Sequence, residues 1–335
     1  MPDDDSPDTK AERYHRFDTL LASTISRAAI QASRDIVSDA ERILSTYAKK
    51  GGFSTRSEAL MYLRSYIRPS DYEVLLARAQ TLPEPLRTQW YTRLSTPAYR
   101  WRITNREAVY ASTQMATLRA RGYAREMMTG RARTVASDAM ARTAYSVSKR
   151  AGMAIAFDMP NQRNLNGLLR KMDLASNVEL FMDTLSTQYE SLISGILSGK
   201  DFREISAEIS ARADMTPYKA KRFVRTTMTT VAAEGEIAEA RSLDIKRLRF
   251  TCTFDEKTCP VCSALDGTEY DADDPDIIVP GPEGTHWNCR CSLTPVIPKG
   301  YGEGRKRFAR DSEGRSIRVS GDMSFDEYSS LYIKE

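Results

Sequence analysis

From Lys10 to Lys50 the apolar positions Leu21, Ile25, Ala28, Ala29, Ala32, Ile36, Ile43, Leu44 and Tyr47 recur mainly at three- and four-residue steps. That period stacks them on one face of a helix, and Gly51-Gly52 ends it. Thr55-x-x-Glu58 and Ser70-x-x-Glu73 have the form of capping boxes, in which a hydroxyl and a carboxylate satisfy free backbone N–H groups at a helix start. Two short helices are therefore expected, broken at Pro69 and again at Leu82-Pro83-Glu84-Pro85. A long helix should run from about Tyr99 to Met128, with Gly130 separating it from an Ala-rich helix reaching Phe157. Helical patterns also cover Ser176 to Leu197, opened by Ser176-x-x-Glu179, and Asp201 to Arg212. Thr216-Pro217 puts a hydroxyl at the N-cap and proline at the first helical position, where its missing N–H costs nothing. That helix should reach about Ser242.

The period changes at Arg247. From there to Phe254 the chain alternates and is rich in β-formers, which predicts a strand. The expected fold is mainly α, with long helices in the N-terminal two-thirds and a small α+β C-terminal module of short strands around a Cys/His cluster. As domains this reads as a helical region over 1–160, a second helical part over 161–250, a Cys/His module over 251–297 and a tail over 298–335. Neither a solenoid-length repeat nor a long low-complexity tract interrupts it.

Composition narrows the classes. The chain has 335 residues, 41% of them hydrophobic and 28% charged, enough apolar material for a real core. Uninterrupted apolar runs fall short of the ~20 residues of a membrane span, and Met1-Pro2-Asp3-Asp4-Asp5 carries acid where a secretory leader carries cations. Folding in a cytoplasm, away from membrane, is the expectation. Charge is uneven: Arg87 to Arg150 holds 13 Lys+Arg against Glu107, Glu126 and Asp138, whereas Thr251 to Ile297 sets Lys257 and Arg290 against nine acids. The basic stretch suits phosphate neutralisation on packaged double-stranded DNA, with Arg119, Arg121, Arg125, Arg131 and Arg133 as candidate contacts. A solvated helix face is the plainer alternative.

All five cysteines lie between Cys252 and Cys291, together with His286, one of two histidines. The order is Cys259-x2-Cys262, 23 residues, then His286-x2-Cys289-x-Cys291. A Cys-x2-Cys turn brings two thiolates onto one ion, and a second short chelate across a loop completes a tetrahedron of sulfur and nitrogen. Zn2+ in a structural role fits best, held by Cys259, Cys262, His286 and one more thiol. Cys291 is placed ahead of Cys289 as the fourth, although in an extended segment both face the same way. Cys252 reads as a buried apolar thiol. Asp271 to Thr285 holds three prolines, two glycines and five acids, so this segment buries little and calls for a staple. A disulfide knot and simply packed thiols are the other readings, the former disfavoured in a cytoplasm. Catalysis is not expected. His-Glu-x-x-His and the deaminase pattern are both missing, Asp255, Glu256 and Asp266 are ordinary turn acids, and His15 reads as a surface residue.

The run from Thr253 through Cys259-Pro260-Val261-Cys262 to Leu265-Asp266-Gly267, followed by His286-Trp287-Asn288-Cys289-Arg290-Cys291, resembles the Mu F-like minor head proteins of tailed bacteriophages. Phe202-Arg203-Glu204-Ile205 and Arg222-Phe223-Val224-Arg225-Thr226 resemble that family's helical lead-in. Phe250 stands where the family often has Trp, and Thr227 where it often has Glu. The resemblance implies a non-enzymatic virion protein present in few copies. It would be incorporated during procapsid assembly at the portal vertex, with the portal protein, major capsid or scaffolding protein and packaged DNA as partners. A DNA-binding protein with a structural zinc, or a metal-dependent nuclease, are the competing classes.

Overall fold

The computed structural model describes residues 7–151, 162–214, 216–252, 258–298, 306–310, 316–320 and 331. Phe157, the His15 side chain and the segment Thr253 to Lys257, with Asp255 and Glu256, lie outside the described residues. Twelve helices are described: α1 (Pro7–Ile43), α2 (Ser45–Lys50), α3 (Arg56–Arg64), α4 (Pro69–Gln80), α5 (Leu86–Ser95), α6 (Pro97–Arg102), α7 (Asn105–Ala151), α8 (Gln162–Lys171), α9 (Leu174–Leu197), α10 (Phe202–Asp214), α11 (Thr216–Ser242) and α12 (Pro260–Leu265). Five strands join them: β1 (Arg247–Thr251), β2 (Glu269–Asp271), β3 (Ser292–Val296), β4 (Lys306–Arg310) and β5 (Ser316–Ser320). The fold is therefore mainly α with long helices and a small C-terminal sheet, as the hydrophobic periods imply.

Two compact units share these elements: Thr19–Thr129 with Asp173–Val224, and Met1–Asp18 with Gly130–Met172 and Arg225–Glu335. Both units are discontinuous in sequence, because α1, α7 and α11 each supply residues to both. These three helices run unbroken through their crossing points, and the fourth crossing lies in the turn between α8 and α9.

In the first unit α1 buries Leu21, Ile25, Ala29, Ala32, Ile36, Ala40 and Ile43, the predicted stripe, and Gly51 caps α2 in the left-handed region at φ 73°. Thr55 caps α3 as expected, accepting from the Glu58 N–H at 3.2 Å. The other two capping boxes do not form. Proline occupies the first turn of α4, so Arg68 becomes its N-cap and Ser70 falls inside the helix. On α9 Asp173 is the cap, its carboxylate accepting from the Ser176 N–H at 3.4 Å. An upstream carboxylate thus takes the role expected of the Ser176 hydroxyl.

Gly130 does not end a helix; α7 runs through it. A glycine costs only about 1 kcal/mol in a helix interior, less than burial of the row Met128, Ala132, Val135, Ala136 and Ala139 contributes on either side. Nothing lies within 4 Å of where a Cβ would stand. Gly130→Ala should therefore stabilise the protein by about 0.5–1 kcal/mol, read as a higher denaturation midpoint, and an unchanged or lower midpoint would contradict this account of α7.

In the second unit β1 is the centre of an antiparallel sheet ordered β2-β1-β3. Its side chains alternate as predicted, with Leu248 and Phe250 buried and Arg247 and Arg249 outside. The strand is described to Thr251, short of the expected Phe254. The module is not without a core. Ala233, Ile237 and Ala240 of α11 and Val147 of α7 pack with Leu248, Phe250 and Leu293, and Ile277, Ile278 and Val279 of the acidic loop lie against them. The expected tail contains an antiparallel hairpin, β4 with β5. Of its strands, Ser316-Ile-Arg-Val-Ser alternates with period two, a strand signal that was available in the sequence, whereas Lys306-Arg-Phe-Ala-Arg does not.

Candidate metal centre

Cys259 is the N-cap of α12, with Pro260 in its first turn, and its Sγ accepts from the Cys262 N–H at 3.4 Å. This is why a Cys-x2-Cys run makes a chelate: the helix start turns both sulfurs to one side and supplies an N–H to a thiolate. The Leu265-Asp266-Gly267 turn that follows is tied to β1. Gly267, at φ 79°, donates to the Phe250 carbonyl at 2.9 Å, Phe250 donates to the Thr268 carbonyl at 2.8 Å, and the Asp266 carboxylate accepts from the Cys252 N–H at 2.8 Å. Asp266 is thus a backbone anchor.

The second chelate is delivered by a turn in which Gly281 donates to the Thr285 hydroxyl at 3.0 Å and Thr285 donates back to the Gly281 carbonyl at 2.7 Å. His286 follows. Its Nδ1 lies 2.7 Å from the Trp287 carbonyl; a carbonyl only accepts, so Nδ1 carries the proton and Nε2 is the basic nitrogen. Metal-bound histidines are oriented by such a bond. Asn288 then adopts φ 63°, a conformation asparagine tolerates better than most residues, and its N–H donates to Thr226 Oγ1 at 2.9 Å.

These segments meet. Cys262 Sγ lies 3.0 Å from His286 Nε2 and 3.7 Å from Cys289 Sγ. Two metal-sized groups result, Cys259 with Cys262 and His286, and Cys262 with Cys289 and Cys291, the ligand atoms of each lying within 4.8 Å of one another. All five expected ligands are brought together. Two thiolates on one tetrahedral ion with bonds of about 2.3 Å stand about 3.8 Å apart, so the Cys262 to Cys289 spacing already fits.

The thiols and the imidazole bias one another's protonation. The Cys291 thiol, together with the Thr285 hydroxyl, holds Cys289 down at about 5 against its burial. Burial, and then the Cys289 charge, push Cys262 up to about 12. The Cys262 N–H lowers Cys259. His286 is raised: burial opposes its charge, but the bond to the Trp287 carbonyl and the charges of Cys289 and Cys259 outweigh it. Crowded thiols cannot all ionise unless a positive ion joins them.

Residues far away in sequence hold the site, and sequence reasoning missed them. On α11, Thr226 takes the Asn288 N–H, Thr230 donates to the Pro280 carbonyl at 3.0 Å, buried Glu236 accepts from the Leu293 N–H at 3.0 Å, and Arg241 donates to the Ala272 carbonyl at 2.6 Å. Polar residues along an otherwise Ala/Val/Ile helix face were the one available signal. Thr227, where the resembling family often has Glu, is buried beside Thr226.

The arginines singled out for DNA fare differently. Arg119 pairs with Asp35, which also receives Arg78 at 3.1 Å, and Arg78 reaches Asp39 at 2.8 Å. Arg121 donates to Ser186 Oγ at 3.0 Å, and Arg131 reaches Asp18 at 3.3 Å. Burial pushes Asp18 up to about 6 despite that guanidinium. Arg125 and Arg133 stand on the exposed face of α7. Arg119→Gln should therefore cost about 1–2 kcal/mol of stability, the pair being partly screened, and leave the salt dependence of any DNA binding unchanged; a flattened log K against log salt slope at constant stability would reverse this assignment.

Fold and site together define a helical protein whose C-terminal sheet carries a metal-sized Cys/His centre. The family model described as Phage Mu protein F like protein matches residues 188–294, from within α9 to within β3, about a third of the chain. That segment is consistent with a Mu F-like phage protein, and the motif resemblance is borne out there. Comparison with curated proteins and with solved structures gives no match. Among the described residues no helix is long and apolar enough to cross a membrane.

Proposed function

We propose that this chain is a minor head protein of a tailed phage, acting in procapsid assembly at the portal vertex and carried in the virion, with a zinc ion as a structural staple. The observation that carries the reading is the ordered set Cys259, Cys262, Leu-Asp-Gly, His286, Asn288, Cys289 and Cys291, each residue with a structural task, inside the segment that matches the family. The ion would be held by Cys259, Cys262, His286 and a fourth thiol, and neutralise the thiolates there. The portal protein is the principal partner, with major capsid or scaffolding protein as further contacts. Packaged DNA is a secondary one, reduced to the exposed Arg125 and Arg133 among the five arginines first considered. The test is imaging of procapsids that carry a labelled copy of this chain. Label at one vertex with the portal supports the proposal; label spread over the shell, or particles that exclude the chain, overturns it. Divalent-dependent cleavage of DNA by the purified chain, lost in Cys262→Ser, would favour a nuclease instead.

A further inference from the structure

Five thiols and an imidazole exceed what one tetrahedral ion can bind, and the sheet sorts them. In the β1 to β3 ladder Thr251 pairs with Ser292, so one step on Cys252 stands opposite Cys291. Phe250 directs its N–H and carbonyl towards Thr268 and Gly267, and Cys252 directs its N–H to Asp266. Positions 250 and 252 therefore face β3 as non-hydrogen-bonded pairs, the narrower kind, with Cα atoms about 4.5 Å apart and side chains close. Disulfides accept Cα separations of about 4.4–6.8 Å. Cys252 and Cys291 are both buried in the same core cluster. Cys289 has its Sγ 3.7 Å from Cys262, close to the spacing of two sulfurs on one ion, in a group whose third sulfur is that of Cys291.

We propose that Cys289 completes the metal set with Cys259, Cys262 and His286, and that Cys252 and Cys291 form a separate cross-strand dithiol that hydrogen peroxide closes to a disulfide. The first half rests on the metal reading above and reverses the order in which spacing placed Cys289 and Cys291. One sulfur attacks a peroxide oxygen, giving a sulfenic acid and water; the second sulfur then displaces the sulfenic oxygen as water and forms the S–S bond. Two thiols lose two electrons and two protons, and one peroxide becomes two waters. Burial of both sulfurs selects a small uncharged oxidant, and the bond would clamp β1 to β3 beside the metal loops.

The full chain, first assayed for zinc, is treated with hydrogen peroxide and examined by non-reducing peptide mapping and elemental analysis. The expected result is a Cys252 to Cys291 linkage with the metal content unchanged. Cys252→Ala should keep the metal and give no linkage; Cys291→Ala should keep the metal, and Cys289→Ala should lose it. Release of zinc as the linkage forms, or loss of metal in Cys291→Ala but not in Cys289→Ala, would make Cys291 the ligand and overturn the assignment. Failure to link while the urea-unfolded chain oxidises overturns the dithiol. A wild-type chain without zinc refutes the metal reading instead, and the linkage then decides the dithiol alone.

Discussion

Cys262→Ser is expected to abolish metal binding and to open the loops from Cys259 to Cys291 to protease, while far-ultraviolet circular dichroism keeps its helical signal. Cys262 belongs to both metal-sized groups, so no alternative triad survives its loss. For autonomous zinc peptides the metal contributes roughly 10–16 kcal/mol of binding free energy, all of it folding free energy. Here the loss should be smaller, because Leu248, Phe250 and Leu293 keep their core with Ile237 and Ala240 when the ion is gone. Elemental analysis of wild-type protein prepared without chelator should give one zinc per chain. A wild-type chain with reduced thiols and less than about 0.2 equivalents, against the single ion a structural site takes, would sink the staple; so would a Cys262→Ser chain that retains its metal.

Phe250→Ala should produce the largest loss that leaves the metal in place. The ring is fully buried on β1, the central strand of the sheet, and truncating a buried phenylalanine costs about 3–5 kcal/mol through lost transfer energy and the cavity left behind. The bonds that Phe250 makes to Gly267 and Thr268 use its backbone, so the turn that carries Cys262 should persist. Denaturant midpoints together with zinc content separate the two variants: Phe250→Ala unstable but loaded, Cys262→Ser empty. Loss of zinc from Phe250→Ala under folding conditions would mean that the core, and not the turn, positions the ligands.

What one chain segment encodes by itself was legible. The stripe of α1, the Gly51 cap, the Thr55 cap and the alternation of β1 depend on neighbours within a few residues, and periodicity records those neighbours directly. The two ends of the metal centre were legible for the same reason, since Cys-x2-Cys and His-x2-Cys-x-Cys are each short chelates. Local signals failed where two of them competed. Pro69 displaced Ser70 from the cap of α4, Asp173 displaced Ser176 at α9, and at Gly130 the buried residues on both sides outweighed one glycine.

Tertiary structure alone decided the rest. Thr226 and Asn288 are 62 residues apart, and Glu236 and Leu293 are 57 apart; no spacing rule joins them, because the packing of α11 on the sheet brings them together. Counting charges along α7 revealed a basic stretch but not that Asp35 and Asp18 of α1 would fold onto Arg119 and Arg131. Nor could the run Cys289-Arg290-Cys291 reveal that both thiols lie with Cys262 while Cys291 alone also continues the β3 register towards Cys252. An extended strand would point both the same way, whereas the left-handed turn at Asn288 and the register of β3 against β1 set Cys289 beside Cys262 and Cys291 opposite Cys252. Short-range chemistry was written in the sequence, and its partners were chosen by which buried faces meet.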